Sequence, residues 1–78
     1  MNVTVLLFAS YAEAYGRSSV ELDLKPGSTV RTLVDQLRAG RGILPPQPLV
    51  AVNEQYADPD RVIKSGDEVA IIPPVAGG

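Results

Sequence analysis

The sequence predicts an α+β domain, a mixed β-sheet packed on one main helix. Three observations point there. Residues 3–8, 19–24, 49–52 and 68–72 are short apolar or alternating runs of strand length, rich in β-branched side chains. Val30, Leu33, Val34 and Leu37 fall at i, i+3, i+4 and i+7, which makes a single helical stripe. A helix with one apolar stripe has one face to bury, and a sheet is the partner these strands can build.

In the first run, Val3, Val5 and Leu7 share one face while Thr4, Leu6 and Phe8 share the other. Only Thr4 interrupts the apolar series, so this strand is expected to be covered on both faces, or nearly so. Residues 10–15 suit a short helical turn, stopped by Gly16 at the position past a helix end. The second run alternates, with Val20, Leu22 and Leu24 inward and Glu21 and Asp23 toward water. It is expected to pair antiparallel with the first as a hairpin.

Pro26-Gly27 makes a turn, and Ser28 and Thr29 offer hydroxyls to cap the helix that follows. Arg31, Asp35, Gln36 and Arg38 occupy its solvated side, and Gly40-Arg-Gly42 ends it. Pro45, Pro46 and Pro48 restrict the loop into the third strand. Asn53-Glu54 closes that strand with a turn, and Tyr56 is a brief edge residue. Asp58-Pro59-Asp60 and Lys64-Ser65-Gly66-Asp67 punctuate the stretch around Val62 and Ile63. The element order is then β-β-α-β-β with a single helix. A last strand returning parallel to the first gives the ubiquitin-like β-grasp arrangement.

Composition narrows the chemistry. At 78 residues and 45% hydrophobic content the chain is one small folded domain rather than a disordered one. With no cysteine there is no disulfide, no thiolate metal site and no cysteine nucleophile. With no histidine, a serine hydrolase built on Ser18, Ser19, Ser28 or Thr29 lacks its base. A net charge of −2 without basic clusters argues against nucleic acid. The longest apolar stretch, residues 5–9, is too short to span a bilayer, and no basic segment precedes it as in a signal peptide. The expectation is a soluble protein of the cytoplasm that binds no membrane.

The ending carries the sharpest functional signal. A strand-like run over residues 68–72 leads into Pro73-Pro74-Val75-Ala76-Gly77-Gly78. Each proline fixes φ and donates no backbone hydrogen bond, so the chain must leave the sheet extended. Six extended residues reach on the order of 20 Å. Glycines without Cβ atoms can thread a slot too narrow for a side chain. The expected organisation is a domain over residues 1–72 and an arm over 73–78 that delivers its own carboxylate to another protein.

Leu7-Phe8-Ala9, Glu13, Gly16, Ala51-Val52-Asn53, Gly66-Asp67-Glu68-Val69-Ala70 and the Pro-Pro-Val-Ala-Gly-Gly ending together resemble the small sulfur-carrier subunit of molybdopterin synthase. The likeness spans almost the whole chain. A Gly-Gly end is shared by all ubiquitin-like proteins; the double proline after a Gly-Asp-Glu-Val strand start is more specific. The thiamine-pathway sulfur carrier is similar in fold and ending but usually lacks the double proline. Ala12 stands where many members have arginine, Ile71-Ile72 replaces an aromatic pair, and the connection over residues 40–48 is shorter than in some relatives.

The resemblance implies that Gly78 is adenylated and converted to a thiocarboxylate, which gives its sulfur to a pterin precursor. It implies that Pro73, Pro74, Val75, Ala76 and Gly77 form the inserted arm. It implies three partners: a large catalytic subunit in a heterotetramer, an adenylating enzyme of the ubiquitin-activating type, and a sulfur donor protein. The chain would bind no cofactor and no metal itself, with ATP used by the activating enzyme. Phe8 is either a docking residue, as its family position suggests, or a core aromatic. The docking face expected is the side of the sheet opposite the helix, near the last strand.

Other candidates read as structure. Tyr11 and Tyr15 fit packing, Glu13 a solvated charge, and Asp67-Glu68 a turn followed by a strand. Asp58 and Asp60 lack the further oxygen ligands of a calcium loop, and Gly40-Arg-Gly42 is too short for a phosphate cradle. The alternatives are a carrier for another pathway (thiamine or tRNA thiolation), a ubiquitin-like protein modifier, and a plain interaction module.

Overall fold

The computed structural model describes residues 1–41 and 48–73. Five strands form one sheet in the order β2-β1-β5-β3-β4, where β1 is Asn2–Leu7, β2 Ser19–Asp23, β3 Leu49–Val52, β4 Gln55–Tyr56 and β5 Glu68–Ile72. β1 pairs antiparallel with β2 and parallel with β5, and β5 pairs antiparallel with β3. The sheet is therefore mixed, and its last strand lies at the centre, as the β-grasp reading requires.

One face carries the core. Val3, Val5 and Leu7 of β1, Val50 and Val52 of β3, and Val69 and Ile71 of β5 are all buried. The second helix, α2 (Val30–Arg41), lays its predicted stripe of Val30, Leu33, Val34 and Leu37 into the same buried cluster. Burying a Leu or Val in this way contributes about 1.5–3 kcal/mol each before conformational entropy is subtracted. The start of α2 is held by tertiary contacts. Val30 and Arg31 donate their N–H groups to the carbonyls of Arg61 and Pro59 at 2.9 Å each. Thr29 caps as expected, accepting from the Thr32 N–H at 3.4 Å. Ser28 does not: its hydroxyl donates to the Lys25 carbonyl at 2.7 Å, closing the preceding turn.

Three expectations need correction. A helix besides the expected one exists, α1 (Ala9–Tyr15), seven residues long where a short helical turn was expected. It lies between β1 and β2, so those strands pair as foreseen but are not a tight hairpin. Tyr11 and Tyr15 explain the helix: both are buried, and the Tyr15 hydroxyl donates to the Leu37 carbonyl of α2 at 3.2 Å. The third correction concerns β1, which is covered on one face only. Thr4 and Phe8 are exposed and Leu6 is half-buried, because both helices pack on the Val3, Val5 and Leu7 side.

Candidate functional site

The open face of the sheet and the root of the C-terminal arm form one continuous surface. Strand register shows which side chains share that face. Leu6 lies opposite Ser19 and Ala70, Ala70 opposite Ala51, and Ala51 opposite Tyr56. This row crosses all five strands. One step toward the end of β5, Ile72 lies opposite Leu49, and Phe8 follows the last residue of β1. One step the other way, Thr4 lies between Glu21 and Glu68. Leu6, Phe8, Ala51, Ala70 and Ile72, with Glu54, Tyr56 and Glu68, line one shallow concavity.

The face is unusually apolar for a surface. Phe8 is 46% exposed, Leu49 49% and Tyr56 75%. Contiguous exposed apolar side chains rimmed by polar ones mark interaction sites in soluble proteins. Phe8 is thus an exposed residue at the edge of this patch and not a core aromatic. Its placement is fixed locally. Phe8 is extended (φ −126°, ψ 154°), and Ala9 then takes a left-handed φ of 49° that starts α1 without a linker. That conformation costs a non-glycine residue about 1–2 kcal/mol. The other end of α1 carries no such strain: Gly16 accepts φ 75°, and Gly16 and Arg17 donate to the Glu13 and Ala12 carbonyls.

Two distant segments of the sequence motif meet where β5 begins. Asn53 and Glu54 both have positive φ and form the two-residue turn between β3 and β4. The Asn53 side chain donates to Asp67 Oδ1 and accepts from the Glu68 N–H, both at 3.0 Å. The other carboxylate oxygen of Asp67 accepts from the Lys64 N–H at 2.8 Å. The Lys64 hydrogen bond, aided by Asn53, holds the Asp67 carboxyl below its ordinary value of 3.8. This clasp sets where β5 starts. It makes Asp67 a structural residue and leaves Glu68 exposed.

Of the arm residues, Pro73 is described and half-buried just beyond Ile72. Pro74, Val75, Ala76, Gly77 and Gly78 lie outside the described residues, as do Gly42, Pro45 and Pro46 of the loop before β3. Among the described residues, Glu13 is exposed on α1, and no cluster of three or more His, Cys, Asp or Glu could hold a metal ion. No helix among the described residues is long and apolar enough to cross a membrane. Leu49, Tyr56 and Glu54 join the face without having been singled out for it. Their parity with Leu6 and Ala70 emerges only once the strand partners are known.

Known proteins are similar to this chain in architecture and in sequence. The ThiS family profile matches residues 5–78. A molybdopterin synthase sulfur carrier subunit from Dictyostelium discoideum is 40% identical over 84 aligned positions, covering 95% of this chain and 93% of that protein. SAMP1 from Haloferax volcanii superposes with a TM-score of 0.85 at 29% identity, covering both chains completely. A putative molybdopterin converting factor subunit 1 from Pyrococcus furiosus superposes at 0.84 with 26% identity, over 96% of this chain and 99% of that one. The chain belongs to the ThiS family, alongside the molybdopterin synthase sulfur carrier subunits it matches.

Proposed function

We propose that this chain is the sulfur-carrier subunit of a molybdopterin synthase and that the Gly78 carboxylate is the group it delivers. The observation that carries the reading is the 40% identity with a named carrier subunit along nearly the full length of both chains. The open apolar face beside the root of the arm supports it, because a carrier must dock while its end reaches into a partner.

The chemistry follows from the end group. A carboxylate is a poor electrophile and brings no sulfur. In the proposed cycle a Gly78 carboxylate oxygen attacks the α-phosphorus of ATP on a separate adenylating enzyme, and pyrophosphate leaves. A persulfide sulfur on a donor protein then attacks the acyl carbon, and AMP departs with the bonding pair. A thiol cleaves the S–S bond of the resulting acyl disulfide, forming a disulfide with the donor sulfur and releasing the carrier. The resulting thiocarboxylate is nucleophilic at sulfur. A large subunit would take the arm, present the pterin precursor and supply the catalytic groups. A dithiolene needs two sulfurs, so two loaded chains are consumed per product. Pro73 and Pro74 would limit the entropy lost when the arm is inserted, and Gly77 would keep the backbone thin enough to enter. A cytoplasmic location fits this cycle.

The test is intact-mass measurement after incubation with ATP, a sulfur donor and the adenylating enzyme of the same organism. The expected product is heavier by the difference between one sulfur and one oxygen, and the added mass maps to Gly78. Recovery of Gly78 joined to lysines of many proteins, without a thiocarboxylate, would replace the carrier reading with that of a protein modifier.

A further inference from the structure

The amines of this chain stand at the pole of the sheet opposite the root of the arm. Lys25 and Lys64 are its only lysines, and both are exposed. Lys25 follows Leu24, whose N–H donates to the Met1 carbonyl at 2.8 Å beside the start of β1. Lys64 comes shortly before β5, with its N–H held by Asp67. The Met1 ammonium is at the same pole, donating to Asp23 Oδ1 at 3.1 Å and to the Leu24 carbonyl at 2.8 Å. β1 and β5 run parallel, so the starts of both strands share this pole and Ile72 marks the other. Arg17, also exposed, stands at the arm's pole. Its neighbour Ser18 accepts from the Leu7 N–H at 2.8 Å, and Leu7 lies opposite Ile71.

The arm's own length keeps those amines from its end. Ile72 and Pro73 each precede a proline and are biased to extended backbone, so the arm's first two residues lead about 7 Å outward. Four residues remain, a span of about 13 Å, and folding them back brings the end only about 6 Å past Ile72. The start of β5 lies about 13 Å from Ile72, and Lys64 precedes it by four residues. Arg17 is placed differently. It stands two strand spacings, about 10 Å, to the side, inside the sweep of the same four residues.

We infer that this placement reserves the activated Gly78 acyl group for the sulfur donor: the chain's amines stand beyond reach of its own end, and Arg17, a cation within reach, is a guanidinium. This rests on the carrier reading above. An acyl adenylate is open to any amine held near it, and a tether of this length supplies an effective concentration on the order of millimolar. A lysine amine within reach would attack the acyl carbon and form a C–N bond. AMP would leave with the pair of the broken C–O bond, the ammonium proton would pass to solvent, and the arm would be closed into a dead ring. Arginine keeps its proton in proteins and cannot attack in this way. The hydroxyls of Ser10 and Ser18 lack a histidine to activate them, and no cysteine is present to form a thioester.

The experiment puts an amine inside the arm's sweep. An Arg17→Lys variant is incubated with ATP and the adenylating enzyme of the same organism, over a pH series and without a sulfur donor. No donor then consumes the adenylate, and its end is free to leave the enzyme. Pyrophosphate release reports adenylation, an unfolding midpoint establishes that the variant is folded, and intact mass with peptide mapping reads the product. The expected product is lighter than the starting chain by one water, with Gly78 joined to the substituted side chain. It should exceed any ring formed by the unaltered chain by roughly tenfold or more, and form faster as pH rises, because the amine must first lose its proton. Should that variant unfold, Ser18→Lys carries the same test. A folded, adenylated variant that forms no ring overturns the inference, as does an unaltered chain that closes onto Lys25 or Lys64; in both cases the carrier reading stands. An unaltered chain that releases no pyrophosphate removes the carrier reading and the inference with it.

Discussion

Asn53 and Asp67 show how single residues hold the working geometry. Their side chains, with the backbone of Lys64 and Glu68, tie the β3–β4 turn to the start of β5. Because the Asp67 carboxyl titrates below its ordinary value of 3.8 in the folded chain, the unfolded chain binds more protons between the two values. Stability therefore rises with pH through that window. The contribution is complete above about pH 5 and is lost as pH falls through the folded value. Asp67→Asn should cost about 1 kcal/mol at neutral pH and flatten the acid limb, as read by denaturant unfolding over a pH series. Phe8 behaves differently. Its side chain is 46% exposed, so Phe8→Ser should change stability by less than about 1 kcal/mol. Binding to the large subunit should nevertheless weaken by about tenfold or more, since aromatic anchors dominate interface energetics. A calorimetric titration beside a thermal melt separates the two effects.

Among the elements, α1 is the one whose length sequence patterning underestimated. Seven residues make a poor isolated helix, since nucleation is costly and few hydrogen bonds follow. It persists because Tyr11 and Tyr15 are buried in the core and Gly16 closes its end. A Cβ at Gly16 would meet nothing within 4 Å, but the φ of 75° would remain. Gly16→Ala should therefore cost about 1 kcal/mol from backbone conformation alone. In a domain this small that lowers the melting temperature by about 4–8 °C. A drop well beyond that range would mean α1 contributes more to the fold than its packing indicates. By contrast α2 was legible in full, because its Val30, Leu33, Val34 and Leu37 stripe obeys one period over its whole buried side.

For the whole molecule, the proposed function assigns recognition and delivery to separate parts joined at Ile72 and Pro73. The core is built from residues up to Ile71, with none of the buried apolar side chains beyond it among the described residues. Gly78→Ala should accordingly leave the unfolding midpoint unchanged while abolishing the mass gain of thiocarboxylate formation, because the added methyl group widens the end that must enter the adenylating enzyme. Normal loading of that variant would count against a narrow entry for the arm.

Periodicity and turn chemistry were sufficient for the strands, the main helix, the Asn53-Glu54 turn and the α+β class. Those features depend on residues near one another along the chain. The motif residues were equally legible, and they indicated the family before any geometry was available. What the local pattern could not decide was which side of β1 would stay open. Leu6 and Phe8 are as apolar as Leu7, and alternation names two faces without saying which one the helices cover. Only the packing of α1 and α2 on the Val3, Val5 and Leu7 side, and the register that aligns Leu6 with Ala70 and Ala51, turned an apparent core strand into one with an open apolar face. Burial is a property of what lies across from a residue, and that is settled by contacts distant in sequence.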